Sequence, residues 1–162
     1  SRTTSYVYND LDQLLSATDP SGSATRFQYD AVGNVTGLID PVDNAWTFAY
    51  DAFDRLAAET DPLGNTTRYA CDAAGRVTTI VDALGGRTDS AYDEVGNVAA
   101  VTDALGNTTG YAYDALNRRV EVTDALGNRE TTAYDAAGNV TGMPEHESLE
   151  RDLAEAVDQG VK

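Results

Sequence analysis

Residues 92–112 read YDEVGNVAAVTDALGNTTGYA, and the next residue, Tyr113, opens the same phrase again. The dipeptide Tyr-Asp occurs at Tyr29-Asp30, Tyr50-Asp51, Tyr92-Asp93, Tyr113-Asp114 and Tyr134-Asp135, always 21 residues apart or a multiple of 21. Tyr8-Asn9 and Cys71-Asp72 fill the remaining places in altered form, so six full units run from Tyr8 to Ala133 with no insertion or deletion. A partial unit, Ser1 to Val7, precedes them, and a seventh begins at Tyr134 and stops matching near Gly142. A fixed period of this kind marks a repeat array, in which each unit is stabilised by its neighbours.

Each unit carries two turn signals. The fifth column holds Asp12, Gly33, Asp54, Gly75, Gly96, Asn117 and Gly138, and the fifteenth holds Gly22, Asp43, Gly64, Gly85, Gly106 and Gly127. Gly, Asn and Asp are the residues that tolerate a left-handed backbone, so these columns predict φ > 0 inside tight connections. Three residues ahead of each site stands an Asp in nearly every unit: Asp30, Asp51, Asp72, Asp93, Asp114 and Asp135 in one series, Asp19, Asp40, Asp61, Asp82, Asp103 and Asp124 in the other. Its carboxylate can accept backbone N–H bonds as an Asx-turn. Asp followed by two residues and then a left-handed position fits the common short hairpin connection. Asn34 stands for the Asn that follows the Gly in this signature.

Between turns lie segments of about six residues, which suit strands and are too short for stable helices. The entering segment alternates: Phe27 and Tyr29, Phe48 and Tyr50, and Tyr111 and Tyr113 share one face, while Gln28, Ala49 and Ala112 point the other way. The returning segments, such as Val35 to Ile39 and Val77 to Val81, are apolar and β-branched but alternate less strictly. The predicted fold is therefore all-β, an array of antiparallel hairpins over residues 1–142. Six units at two strands each would extend a ribbon by roughly 58 Å, about 20 Å wide. With aromatics on one face only, such a ribbon must wrap around something or pack on another layer, and its open edges offer a template for self-association.

Composition points elsewhere. The 162 residues carry a formal charge of -16 with a pI near 4.1. Leu, Ile, Val and Phe make up 31 of them, about 19%, a fraction typical of disordered chains. The repeat accounts for the shortage, because a hairpin ladder spreads burial over Tyr, Val and Thr columns and the turn aspartates supply much of the charge. The same acidity disfavours nucleic acid, whose binding rests on cationic side chains displacing counterions. No apolar run approaches the length of a membrane-spanning helix and no basic-then-apolar leader opens the sequence. The first residue is Ser1 and not Met, so the chain reads as an excerpt of something longer.

The recurrence of Tyr-Asp-x-x-Gly-Asn followed by Thr-Asp-Ala-Leu-Gly-Asn-x-Thr resembles the YD repeat of the Rhs proteins, also found in insecticidal toxin complexes, wall-associated bacterial proteins and teneurins. The resemblance implies a long β-sheet that spirals into a hollow shell, which in bacterial members encloses a C-terminal toxic domain. It implies a non-enzymatic structural segment of a secreted or cell-surface bacterial protein, whose partners are the rest of a longer chain or its toxin cargo. The rival reading is a binding module that recognises glycan or a partner protein.

Candidate chemistry is sparse. Cys71, the one cysteine, stands in the tyrosine column, where it reads as a smaller side chain set into the ladder, and His146, the one histidine, lies between Glu145 and Glu147. No Gly-x-Ser-x-Gly elbow surrounds any serine. The aspartate columns could hold calcium, yet neither the EF-hand nor the calcium-binding nonapeptide spacing occurs, and Asx-turn capping explains the same residues without cofactor or metal. Tyrosine columns could stack on sugar rings, though aromatics on one sheet face more often serve packing. The Asn-x-Thr sequons at Asn34, Asn65, Asn107 and Asn139 follow from the repeat itself. After Pro144 the period is lost, and residues 143–162 read as an acidic helical tail, with Ser148 as N-cap, Leu149, Leu153, Ala156 and Val157 on one face and Gly160 as the stop.

Overall fold

The computed structural model describes residues 3–142, and the helix expected in the tail lies outside them. The described residues are all-β, and the chain divides into two compact units, Ser1–Gly86 and Arg87–Lys162. In the first unit eight strands follow one another: β1 (Ser5–Tyr8), β2 (Leu14–Thr18), β3 (Ala24–Tyr29), β4 (Val35–Ile39), β5 (Ala45–Tyr50), β6 (Leu56–Thr60), β7 (Thr66–Cys71) and β8 (Val77–Val81). Each pairs antiparallel with the next, a meander with no crossover. The second unit holds β9 (Arg87–Tyr92), β10 (Val98–Thr102), β11 (Thr108–Tyr113), β12 (Arg119–Thr123) and β13 (Arg129–Thr131) in the same arrangement. Its last hairpin, β14 (Ala133–Tyr134) with β15 (Val140–Gly142), forms a separate two-stranded ladder.

The aromatic face follows from the period-two alternation. Along β5 the exposure alternates residue by residue, with Trp46, Phe48 and Tyr50 half-buried and Ala45, Thr47 and Ala49 exposed. Direct cross-strand pairing places Leu38 between Phe27 on one side and Trp46 on the other. Pairs of this kind contribute about 0.2–1 kcal/mol each. No large apolar side chain is fully buried among the described residues, so each sheet is a single layer whose aromatic face is only half covered. A carboxylate stands on that face in the first unit: Glu59, opposite Phe48, accepts a 2.6 Å bond from the Tyr69 hydroxyl, which pushes the phenol's pKa up.

The two hairpin types differ in register. In the hairpin after each Tyr-Asp the pairing slips by one residue: Tyr29 faces Val35 but Gln28 faces Gly37, leaving Thr36 as the extra residue. Leu15, Ala57 and Thr78 hold the same place in the first unit, and Ala99, Val120 and Thr141 in the second. The Thr-Asp hairpins run in continuous register, as from Gly37↔Thr47 to Ile39↔Ala45. A bulge bends its strand and sharpens the local twist. Here it recurs once per 21 residues, always beside the Tyr-Asp turn.

This slip explains the weak alternation of the returning segments. Val35 pairs with Tyr29 and Leu38 with Phe27, and those two aromatics share a face. Val35 and Leu38 therefore face the same way although they are three residues apart. A strand with one inserted residue must break period two at that point.

Candidate functional site

The signature residues collect at the two turn margins of each unit and along the tyrosine column. At Asp61, carboxylate oxygen Oδ1 accepts the backbone N–H groups of Leu63 and Asn65, both at 2.9 Å, and Oδ2 accepts the Asn65 amide at 2.7 Å. The backbone closes the same turn twice, from Gly64 N–H to the Asp61 carbonyl at 3.0 Å and from Asp61 N–H to the Asn65 carbonyl at 2.9 Å. Asp40, Asp103 and Asp124 repeat this set with Asn44, Asn107 and Asn128. In the Tyr-Asp series, Asp93 and Asp135 use Asn97 and Asn139. Asp51, Asp72 and Asp114 instead take the Nε of Arg55, Arg76 and Arg118 at 2.7 Å. Asp30 adds a third backbone donor, Gly33. Asp19 is capped by Ser21 and Ser23, and Asn9 takes the aspartate's place with its own amide oxygen.

All thirteen sites of the two left-handed columns have positive φ, from 57° at Asp12 to 102° at Gly33. The turn thus combines an oxygen at the first position with a left-handed fourth residue, and in most copies a side-chain donor at the fifth; the turn at Asp82 closes with Gly86 in that place. The third position answers to none of them, yet it carries exposed apolar residues such as Leu63, Leu84 and Leu105, the second of these 96% exposed.

These bonds set the electrostatics. Donation from the fifth-position side chain is the largest influence holding the carboxyls of Asp40, Asp51, Asp61, Asp93, Asp103 and Asp135 below the usual range, against a smaller opposing effect of desolvation. For Asp72 and Asp114 the backbone N–H of Arg76 and Arg118 leads. A carboxylate that accepts several bonds favours its charged form.

The Tyr-Asp margin is also tied from turn to turn. Asn34 donates to Asp54 at 3.1 Å and Asn97 to Asn117 at 3.2 Å. Arg55 reaches the Asp72 carbonyl at 2.6 Å and Arg118 the Asp135 carbonyl at 3.1 Å, each through Nη1. The Arg118 guanidinium lies over the Tyr134 ring, 4.6 Å from its centroid.

The tyrosine column supplies a third set of contacts. Tyr29, Tyr50, Tyr113 and Tyr134 donate their hydroxyls to the carbonyls of Leu14, Val35, Val98 and Arg119, at 2.9–3.0 Å and always fifteen residues back. Those acceptors stand just before the bulge and outside the next ladder, which begins at Gly37↔Thr47 in the case of Val35. The phenol therefore satisfies a carbonyl that the bulge removes from strand pairing. Tyr8 and Tyr92 end β1 and β9 in the same column, and Cys71 ends β7 as a free thiol.

The signature aspartates that are bonded in these ways act as turn acceptors, and no cluster of three or more His, Cys, Asp or Glu side chains among the described residues is arranged to hold a metal ion. His146 lies outside the described residues. The fifth-position Asn or Arg is the part that the sequence reading left without a role. Its signal was present, as a donor side chain four residues after nearly every turn aspartate.

The RHS repeat family model matches residues 8–45, 31–66, 50–87 and 92–129. The chain belongs to the RHS repeat family. No curated protein matches the RHS chain along its sequence. Among solved structures it is similar to the crystal structure of TcdB2-TccC3-Cdc42, with a TM-score of 0.73 at 21% identity over 92% of this chain and 9% of that one. The Photorhabdus luminescens Tc holotoxin pore carrying a TccC3 mutation gives 0.73 at 20% identity, again over 92% and 9%. The crystal structure of TcdB2-TccC3 gives 0.73 at 21% identity with the same coverage. At these identities the likeness is one of fold, and the RHS segment spans 9% of the length of each.

Proposed function

We propose that this RHS segment is a non-enzymatic length of wall in a longer secreted bacterial chain, part of a β-shell that encloses a toxin or effector. Residues 1–142 are the repeat region in this reading, residues 143–162 a separate tail, and the partners are the rest of the chain and its cargo. The observation that carries the reading is how the signature chemistry is used. Bonded aspartates cap turns, bonded tyrosines brace bulges, and Arg and Asn tie one turn to the next. Such a surface is suited to holding a sheet together over a long distance. The similarity of fold to structures from Tc toxin assemblies adds weight.

The test is limited proteolysis of the complete polypeptide that contains this segment. Containment predicts that the region following the repeats resists protease in the native chain and becomes cleavable when Tyr29, Tyr50 and Tyr113 are replaced together by Ala. A following region cleaved equally fast in both forms would remove the containment reading.

A further inference from the structure

Four tyrosines of the column occupy one kind of seat, and at Cys71 that seat lacks its ring. The comparison with Arg118 defines it. Arg118 is held by Asp114 at 2.7 Å and by the Asp135 carbonyl at 3.1 Å, and the Tyr134 ring lies beneath its guanidinium. Arg55 is held by the same two contacts, to Asp51 at 2.7 Å and to the Asp72 carbonyl at 2.6 Å, and its guanidinium lies over the Phe53 ring of its own turn, 5.2 Å from the centroid. The residue that corresponds to Tyr134 is there Cys71.

Two further features belong to the seat. A surface hollow of about 490 Å³ opens between Phe53 and Arg55 on one turn and the stretch from Cys71 to Gly75 on the next. Leu56 holds the place of Val35 and Val98: it precedes the bulge and stands outside the β6–β7 ladder, which begins at Ala58↔Arg68. Its carbonyl is the one to which a tyrosine at position 71 would donate.

We propose that this seat binds a p-hydroxyphenyl group supplied from outside the repeat. The ring lies against Cys71 and the Arg55 guanidinium, which attracts its π face, and the hydroxyl donates to the Leu56 carbonyl. The internal template specifies an aryl alcohol over a plain aryl group, since four seats of the column each use the hydroxyl as donor.

Cys71 is the only thiol in the chain, so its alkylation by iodoacetamide reports on the seat directly. The probe is p-cresol, a small ligand for which a Kd on the order of millimolar is reasonable. Saturable protection is expected, slowing alkylation about threefold at roughly twice Kd, where two thirds of the sites are filled. Toluene at the same concentration should protect less. N-acetyl-tyrosinamide separates the sources: protection by it as well as by p-cresol assigns the seat to a tyrosine side chain, and protection by p-cresol alone assigns it to a free phenol. In parallel, p-cresol should raise the Tm of the native protein and of Cys71→Ala, where the seat stays open, and leave Cys71→Tyr unmoved. Alkylation indifferent to p-cresol, or a Tm response in Cys71→Tyr equal to the native one, would overturn the proposal. Loss of the response in Cys71→Ala would do so even if Cys71→Tyr failed to fold.

Discussion

The hydroxyl of Tyr50 donates to the carbonyl of Val35, fifteen residues upstream, at 2.9 Å. The bulge at Thr36 makes that bond necessary, because Val35 lies beyond the reach of the next ladder. Tyr50→Phe keeps the ring and removes only the donor. It should destabilise the protein by about 1 kcal/mol, the net worth of one intramolecular hydrogen bond. A urea titration should show a lower midpoint with an unchanged slope. An unshifted midpoint would mean that water replaces the phenol at no cost.

The converse substitution is Cys71→Tyr. It adds a second ring beside Arg55, which already lies over Phe53, and a donor for the Leu56 carbonyl, at a position whose backbone already matches the tyrosine column. A gain of about 1–2 kcal/mol is expected from the bond and the ring contact together. Thermal unfolding of the two proteins side by side measures it, and a Tm at or below the native value would show that the Cys71 environment has closed around the smaller side chain.

These two residues mark how far the sequence could be read. The period, the strand positions and the thirteen left-handed sites are legible because each rests on a residue type: Gly64, Asp54 and Asn117 name their own backbone requirement. The bulge has no such label. Its extra residue is Leu15, Thr36, Ala57, Thr78, Ala99, Val120 or Thr141, and what these share is a register position, not a side chain. Only the imperfect alternation of the returning segments hinted at it. The reach of Tyr50 to Val35 was invisible for the same reason, since a contact between repeats depends on how far the bulge displaces the strand.

Position 64 isolates the turn requirement. Gly64 has φ +84°, and nothing lies within 4 Å of where a Cβ would stand, so a substitution there meets backbone strain alone. Gly64→Ala should cost about 1–2 kcal/mol. Gly64→Asn should cost less, because Asn117 already holds the equivalent conformation at φ 59°. Chemical denaturation of the three proteins should rank them Gly, then Asn, then Ala, and an Ala variant as stable as the native protein would mean that the turn re-forms with another geometry.

Acid should dismantle the turns together. The folded-state pKa values of Asp40, Asp61, Asp93 and Asp103 are lowered, first by donation from the Asn side chain four residues on. A lowered folded pKa means that the unfolded chain binds protons more readily. The contribution is therefore fully present above the ordinary aspartate range, near pH 4, and is lost as pH falls through the lower folded values. Tm should be flat from neutral pH to about 5 on this account and should drop below 4 with net proton uptake on unfolding. A Tm that stayed level down to pH 2 would show that the carboxylates are dispensable to the turns.

The turn at Asp82 is the natural place to test the fifth-position donor, because Gly86 stands where Asn65 and Asn107 stand in the neighbouring Thr-Asp turns. Asp82 accepts from Leu84 N–H at 2.9 Å and Gly86 N–H at 2.8 Å and lacks the side-chain donor of the others. Gly86 is outside the left-handed region, and the atoms nearest to a Cβ there are those of the Asp82 carboxylate, with Oδ2 at 2.6 Å. That carboxylate is the free end of a side chain, and at Asp61 the same group accommodates Asn65 by accepting its amide at 2.7 Å. Gly86→Asn should therefore stabilise by about 1 kcal/mol, combining reduced freedom of the unfolded chain with the added bond. Gly86→Ala supplies the first effect without the second. An Asn variant more stable than the Ala variant in urea assigns the difference to the side-chain bond, and two variants of equal stability would reduce the fifth-position donor to an ornament of the turn.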